Sequence, residues 1–268
     1  MAIMSIEEWI HIREQKGQTT FSIEDAKNTF LNLTVGTIKT SLYRLVRSSR
    51  IQSVYRGFYV VIPIQYQLKG VVPVEYYVDD MMQWLQKPYY VCLLSAAAIY
   101  GASHQRAMKT QVMTLLPKTR PNTKNKLLSL YYRHNIESSL LTQQNGEMGI
   151  IKYSSPELTA ADLIQYADHI GGYQRAATVL AELIEVVDMN KMDTVLDVST
   201  TATLQRLGYI TEYILEDIEK ANQLFNILNT RNVVRKSILL SNKHPKNIQV
   251  ASNRWHVNAN IDIEIDDL

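Results

Sequence analysis

The stretch that decides the N-terminal fold reads TVGTIKTSLYRLVRSSRIQSVYRGFYVVI and covers residues 34–62. Apolar residues recur at three- and four-residue steps in its first half, namely Val35, Ile38, Leu42 and Leu45. This spacing predicts an amphipathic helix with one buried face, and Thr34 is placed to cap its first turn. In the second half, two strand-like runs flank Arg56 and Gly57. Because glycine supplies the backbone angles of a tight turn, these runs predict a β-hairpin.

Two further helices are predicted before this stretch. Residues 6–15 have helical spacing and are followed by Gly17, whereas Ser22 and Asp25 resemble a capping box at the start of a short second helix. Three helices followed by a hairpin are the element order of a winged helix-turn-helix. We therefore expect such a DNA-binding domain over residues 1–70 and a second domain over residues 71–268.

The charge distribution favours nucleic acid as a partner of the first domain. No acidic residue occurs between Ala26 and Val74, although this stretch contains seven basic residues. These are Lys27, Lys39, Arg44, Arg47, Arg50, Arg56 and Lys69. Basic side chains displace the counterions that condense on DNA phosphates, so an acid-free cationic surface attracts duplex DNA.

The predicted third helix and the hairpin tip supply the candidate DNA contacts. They are Thr37, Lys39, Thr40, Ser41, Tyr43, Arg44, Arg47, Arg50 and Arg56. The hydroxyl groups and Arg44 suit base edges in the major groove, and the remaining cations suit phosphates. Arg56 would reach a minor groove or a phosphate from the hairpin tip. Two alternatives are an ordinary solvated helix face and a protein-binding surface.

The rest of the chain predicts a mixed domain with a helical later portion. Strands are expected at residues 111–116, 127–133 and 149–153, and Ser155 followed by Pro156 predicts the start of a helix. Further helices are expected, with a break at Gly208 between two of them. The predicted fold class is therefore α+β, with an N-terminal winged helix-turn-helix followed by a mixed α/β domain.

A second acid-free stretch, from Met81 to Ile136, suggests a second basic patch. Its candidate residues are His104, Gln105, Arg106, Lys109, Lys118 and Arg120. Three interpretations fit this pattern: an additional grip on DNA, a docking face for an acidic partner, and a plain cationic loop. Between Glu137 and Thr230 the balance reverses, with 14 acidic residues against five basic ones, which suggests different roles for the two parts of the chain.

No catalytic, metal or cofactor site is expected. The chain has no glycine-rich phosphate loop and its histidines lack zinc-ligand spacing. The single cysteine, Cys92, lies in an apolar run and fits a small buried residue in a reducing cytoplasm. No signal peptide or membrane span is evident, so we expect a cytoplasmic protein. Because no catalytic motif is found, we also expect that the protein is not an enzyme. A DNA-processing enzyme is disfavoured because no carboxylate cluster accompanies the basic surface.

Several segments closely resemble the AbiEi antitoxin family and keep that family's order. They are residues 89–106, 111–114, 155–163, 171–172 leading to 179–183, 205–209, and Asn253-Arg254-Trp255. The family usually has a small residue where Cys92 stands. Together these segments span most of the chain after Phe58.

The resemblance implies an antitoxin of a type IV, abortive-infection (phage-defence) toxin–antitoxin pair. It implies a nucleotidyltransferase toxin as the functional counterpart, with no stable complex between the two proteins. It also implies an N-terminal domain that binds inverted repeats in double-stranded promoter DNA and represses its own promoter. Separately from the resemblance, we expect a monomer in solution that pairs on DNA. A stand-alone winged-helix regulator, whose second domain senses a ligand or partner, is the alternative.

Overall fold

The computed structural model describes residues 4–102, 107–116, 127–246 and 252–265. The chain divides into two compact units. The first comprises Met1–Tyr89, Met108–Arg133 and Gln143–Ile151, and the second comprises Tyr90–Ala107, His134–Thr142 and Lys152–Leu268. Both helices and strands are present, and the predicted α+β class is confirmed.

The described residues form helices and strands with the following bounds. The α-helices are α1 (Ile6–Gln15), α2 (Ile23–Thr29), α3 (Val35–Arg47), α4 (Ile64–Gln67), α5 (Val78–Trp84), α6 (Leu93–Ala97), α7 (Pro156–Gln165), α8 (Tyr173–Leu183), α9 (Met192–Val198), α10 (Thr201–Tyr213) and α11 (Ile218–Thr230). The strands are β1 (Thr20–Ser22), β2 (Ile51–Tyr55), β3 (Phe58–Val61), β4 (Tyr89–Val91), β5 (Thr110–Thr114), β6 (Leu128–Tyr132), β7 (Leu141–Gly146), β8 (Gly149–Ser154), β9 (Ile238–Leu239) and β10 (Val257–Asn258). Short 3-10 helices cover Val74–Tyr76, Ala98–Tyr100, Ser138–Leu140, Ala167–His169, Ile184–Val186 and Met189–Lys191.

The helices α2 and α3 begin at the caps that the sequence predicts. The Ser22 hydroxyl accepts from the Asp25 amide at 3.1 Å, and the Asp25 carboxylate accepts from the Ser22 amide at 2.7 Å. At α3, the Thr34 hydroxyl accepts from the Thr37 amide at 3.1 Å. Because the first amides of a helix lack partners within the helix, these side chains fix where each helix starts.

The strands β1, β3 and β2 form an antiparallel sheet in that order. The hairpin turn at Gly57 has a positive φ of 83°, which glycine adopts without strain. The Gly57 carbonyl accepts from the Ile23 amide at 2.8 Å, and the Trp84 ring packs on Phe58 with centroids 5.3 Å apart. The hairpin tip is therefore anchored to the start of α2 and to α5. The strand β1 was not predicted from the sequence.

A shared apolar core holds the first three helices and the sheet together. The Trp9 ring meets Phe21 and Phe30 edge to face, with centroid distances of 5.2 and 5.8 Å. The α3 residues Ile38, Leu42 and Leu45 are buried in the same core, as predicted. Val35 is 45% exposed, so the prediction of a buried residue there was wrong. The polar side of α3 is thus held outward by the burial of its opposite side.

The first unit also contains a parallel strand pair. The strands β5 and β6 pair along their full length, with Thr110 opposite Leu128. The Thr114 hydroxyl at the end of β5 donates to the Pro88 carbonyl at 2.9 Å. Both strands lie where the sequence predicts them.

In the second unit, a parallel pairing and a buried helix form the centre. Val91 of β4 lies opposite Tyr153 of β8. The next helix, α7, starts at Pro156 after a Ser155 cap, and its residues from Glu157 to Ile164 are all buried. It packs against α6, α8 and α10. A helix that is buried on all sides fits the centre of a domain.

The predicted helix break at Gly208 was wrong. The helix α10 runs through this residue, and a Cβ atom there would lie 2.2 Å from Cζ3 of Trp255. Trp255 is fully buried, and its indole N–H donates to the Glu212 carboxylate at 2.6 Å. The glycine is needed for side-chain packing and does not end the helix.

Candidate nucleic-acid interface

The outward side of α3 is the most strongly cationic helix surface in the described part of the first unit. This side of α3 faces solvent because Ile38, Leu42 and Leu45 are buried in the core on the opposite side. The exposed candidate residues on α3 are Thr37, Lys39, Thr40, Tyr43, Arg44 and Arg47. Ser41 is half-buried, at the border of the buried side. Six of the seven α3 residues predicted as DNA contacts are therefore open to solvent.

No described carboxylate neutralises the exposed cations of α3. Lys39, Arg44 and Arg47 make no ion pair or side-chain hydrogen bond with any described residue. A solvent-exposed cation without a carboxylate nearby keeps its full charge available to a ligand. The first unit thus offers three free positive charges on one helix.

Two other basic residues of the same acid-free stretch differ from these. The ammonium of Lys27 lies 2.8 Å from the Glu24 carboxylate, one turn away on α2. The guanidinium of Arg50 forms an ion pair with Glu14 of α1, and the Arg50 side chain is only 20% exposed. An internal carboxylate therefore balances each of these charges. The sequence could not reveal the second pair, because its residues lie 36 positions apart.

The hydroxyl groups on α3 also differ in their availability. The Thr37 hydroxyl lies 2.9 Å from the Thr34 hydroxyl, within the N-terminal cap. Thr40 lies one turn further along and makes no side-chain hydrogen bond to a described residue. Tyr43 is 62% exposed, an unusual position for a large aromatic side chain. A free hydroxyl and an exposed aromatic ring are both suited to contact with a ligand.

The hairpin tip places one further cation in solvent. Arg56 is exposed and makes no ion pair with a described residue. It sits directly before Gly57, whose carbonyl is bonded to the first residue of α2. Because the turn is short and anchored on both sides, the backbone below Arg56 is held in place.

The structure describes one residue of the second basic patch, Lys109. Lys109 is exposed beside the start of β5. The other candidate residues, His104, Gln105, Arg106, Lys118 and Arg120, lie outside the described residues. The second patch therefore stays a prediction.

Buried acids in the second unit serve the fold. The Asp162 carboxylate is fully buried and accepts from the Tyr90 hydroxyl at 2.8 Å. The Glu157 carboxylate, also buried, accepts from the Asp188 amide at 3.0 Å. Within the described ranges, no group of three or more histidine, cysteine or acidic residues is arranged to hold a metal ion. Cys92 is buried, as its apolar surroundings predict.

The described part of the chain includes no helix that is both long and apolar enough to span a bilayer. The fold and surface define an α+β protein in which a cationic N-terminal helix face accompanies a domain with a buried central helix. Residues 89–213 match the AbiEi antitoxin C-terminal domain family. This match confirms the resemblance to the AbiEi antitoxin family noted in the sequence.

One solved structure supports the fold over nearly the whole chain. The RV2827C protein from Mycobacterium tuberculosis superposes with a TM-score of 0.64 at 15% sequence identity. The match covers 96% of this chain and 92% of the mycobacterial protein. A search of the curated proteins gave no match.

Proposed function

We propose that this chain is an antitoxin that binds duplex DNA of its own promoter through α3 and represses transcription there. The antitoxin role is supported by the AbiEi antitoxin domain at residues 89–213. The DNA-binding role depends chiefly on the exposed side of α3, where Lys39, Arg44 and Arg47 have no carboxylate partner among the residues that the structure describes. In this proposal α1 to α3 with the β2–β3 hairpin form a winged helix-turn-helix, and residues 1–70 are its domain.

The proposed contacts are of two kinds, namely contacts to base edges and contacts to phosphates. Arg44 reads a base edge, because a guanidinium can donate two hydrogen bonds to one guanine. Lys39, Arg47 and Arg56 bind phosphates and hold the helix in the major groove. Arg50 is left out of the proposed contacts, because Glu14 already neutralises it. Two copies of the chain pair on inverted repeats, and a nucleotidyltransferase toxin is counteracted without a stable complex.

Fluorescence anisotropy with two labelled duplexes tests the DNA-binding role. One duplex carries the inverted repeats upstream of the gene for this chain, and the other has the same composition in scrambled order. The wild-type chain should bind the repeats far more tightly than the scrambled duplex, since specific binding exceeds non-specific binding by typically about a thousandfold or more. Arg44→Ala should weaken binding to the repeats and leave binding to the scrambled duplex nearly unchanged. Equal losses on both duplexes would reject base reading by Arg44.

A cell-based test should use the full chain. The first unit includes Met108–Arg133 and Gln143–Ile151, so removal of residues 1–70 would take away part of a compact unit and expose its core. Arg44→Ala in the full chain should release a reporter from the promoter and still counteract the co-expressed toxin. Loss of both properties in this exposed-residue variant would contradict separate sites for repression and neutralisation.

A further inference from the structure

Gly36 occupies the outward side of α3, in its first turn. At 100° per residue, Gly36, Thr40 and Arg47 lie within about 40° of one another around the helix axis. All three are exposed, and they point away from the buried residues of α3. Gly36 is therefore part of the same strip of surface as the free hydroxyl and a free cation.

The fold does not require glycine at this position. Gly36 lies within the regular helix and has no positive φ. A Cβ atom there would meet only the Thr34 hydroxyl, at an ordinary contact distance of 3.7 Å. By contrast, Gly57 has a positive φ, and Gly208 leaves room for Trp255. Because glycine disfavours helix relative to alanine, the residue at position 36 works against the helix without an internal reason.

We propose that Gly36 is a positioning residue for DNA: its missing side chain lets a duplex approach the backbone of α3 in the major groove. This inference rests on the proposed DNA-binding function. A helix that enters the major groove presents its N-terminal half to the base edges. With no Cβ at position 36, the helix axis can lie closer to the bases, which brings Thr40 and Arg44 within reach of them. Gly36 thereby sets the docking depth on which the neighbouring contacts depend.

A size series at this position tests the inference. Gly36→Ala and Gly36→Leu should fold with an unfolding midpoint equal to or above that of the wild type, because the added atoms point into solvent. Both should bind the inverted-repeat duplex more weakly, the leucine variant by on the order of tenfold or more, comparable to a mismatched base pair. Val35→Leu is the matched control for Gly36→Ala, since each change adds one carbon atom in the same turn and Val35 lies on the side of the helix. Its affinity should stay close to that of the wild type.

The outcomes separate this inference from the proposed function. If the wild-type chain binds the inverted repeats and Gly36→Leu binds them equally well, the positioning role is wrong and DNA binding stands. If Val35→Leu loses as much affinity as Gly36→Ala, the effect is not specific to the outward strip, and the inference is again wrong. If the wild-type chain binds neither duplex, the proposed function fails, and the inference fails with it.

Discussion

Removal of the charge should weaken DNA binding at one of two arginines that lie three residues apart, and should leave it unchanged at the other. Arg47 is exposed and has no carboxylate partner in the described part of the chain, whereas Arg50 forms an ion pair with Glu14. We therefore expect Arg47→Gln to remove one phosphate contact from the complex with DNA. Arg50→Gln should leave the DNA contacts intact, because the charge it removes is already balanced within the protein.

The expected size follows from the release of counterions. Each phosphate contact contributes about 0.9 to the slope of log affinity against log salt concentration. If Lys39 and Arg47 each bind a phosphate, α3 contributes a slope of up to about 1.8. Loss of Arg47 should flatten the slope by about 0.9, so a rise from about 50 to 200 mM salt should weaken binding about 3.5-fold less than for the wild type.

Fluorescence anisotropy titrations at four or more salt concentrations measure this slope. Arg50→Gln is the control for charge, and its unfolding midpoint should be recorded because the change leaves Glu14 without its partner. The double variant Glu14→Gln/Arg50→Gln removes that complication. If Arg50→Gln flattens the slope as much as Arg47→Gln does, the ion pair does not hold in solution, and the assignment of free and balanced charges is incorrect.

Three further predictions concern stability and are measured by chemical denaturation. Gly208→Ala should destabilise the chain by about 1–3 kcal/mol or more, because the new methyl group overlaps the enclosed Trp255 ring; an unchanged midpoint would show that the ring can move. Ser22→Ala should cost about 1 kcal/mol through loss of the capping box at α2, and Ser22→Thr should recover most of it. Tyr90→Phe should cost about 1–3 kcal/mol, since it removes a hydrogen bond to the buried Asp162 carboxylate, and it should leave DNA affinity unchanged.

The predictable parts of the fold are those that neighbouring residues determine. The buried side of α3 follows from the spacing of Ile38, Leu42 and Leu45, and the start of α2 follows from Ser22 and Asp25. In each case the deciding residues lie within a few positions of one another. Local preference and burial agree there, so the pattern alone is sufficient.

The features that were missed depend on residues distant in the sequence. The strand β1 has three residues and exists because it pairs with β3, almost 40 positions later. Gly208 has the local character of a helix end, yet Trp255 requires it inside α10. The Asp162 carboxylate lies in the interior, where it accepts a hydrogen bond from Tyr90, 72 positions earlier in the sequence. A local sequence pattern cannot show which residue from a distant part of the chain will pack against a given position.

Some features of α3 are explained by the fold of the protein, and others need an explanation from outside it, such as a ligand. Its apolar residues are accounted for by the core, and Thr34 is accounted for by the first turn of the helix. The fold does not account for the exposed cations or for Gly36, since the cations have no partner among the described residues and glycine lowers the stability of the helix. Sequences are usually consistent with their folds at every level, and departures concentrate where a site meets its ligand. Because the cations and Gly36 share one exposed surface, we propose that a polyanion approaching close to the backbone accounts for them together.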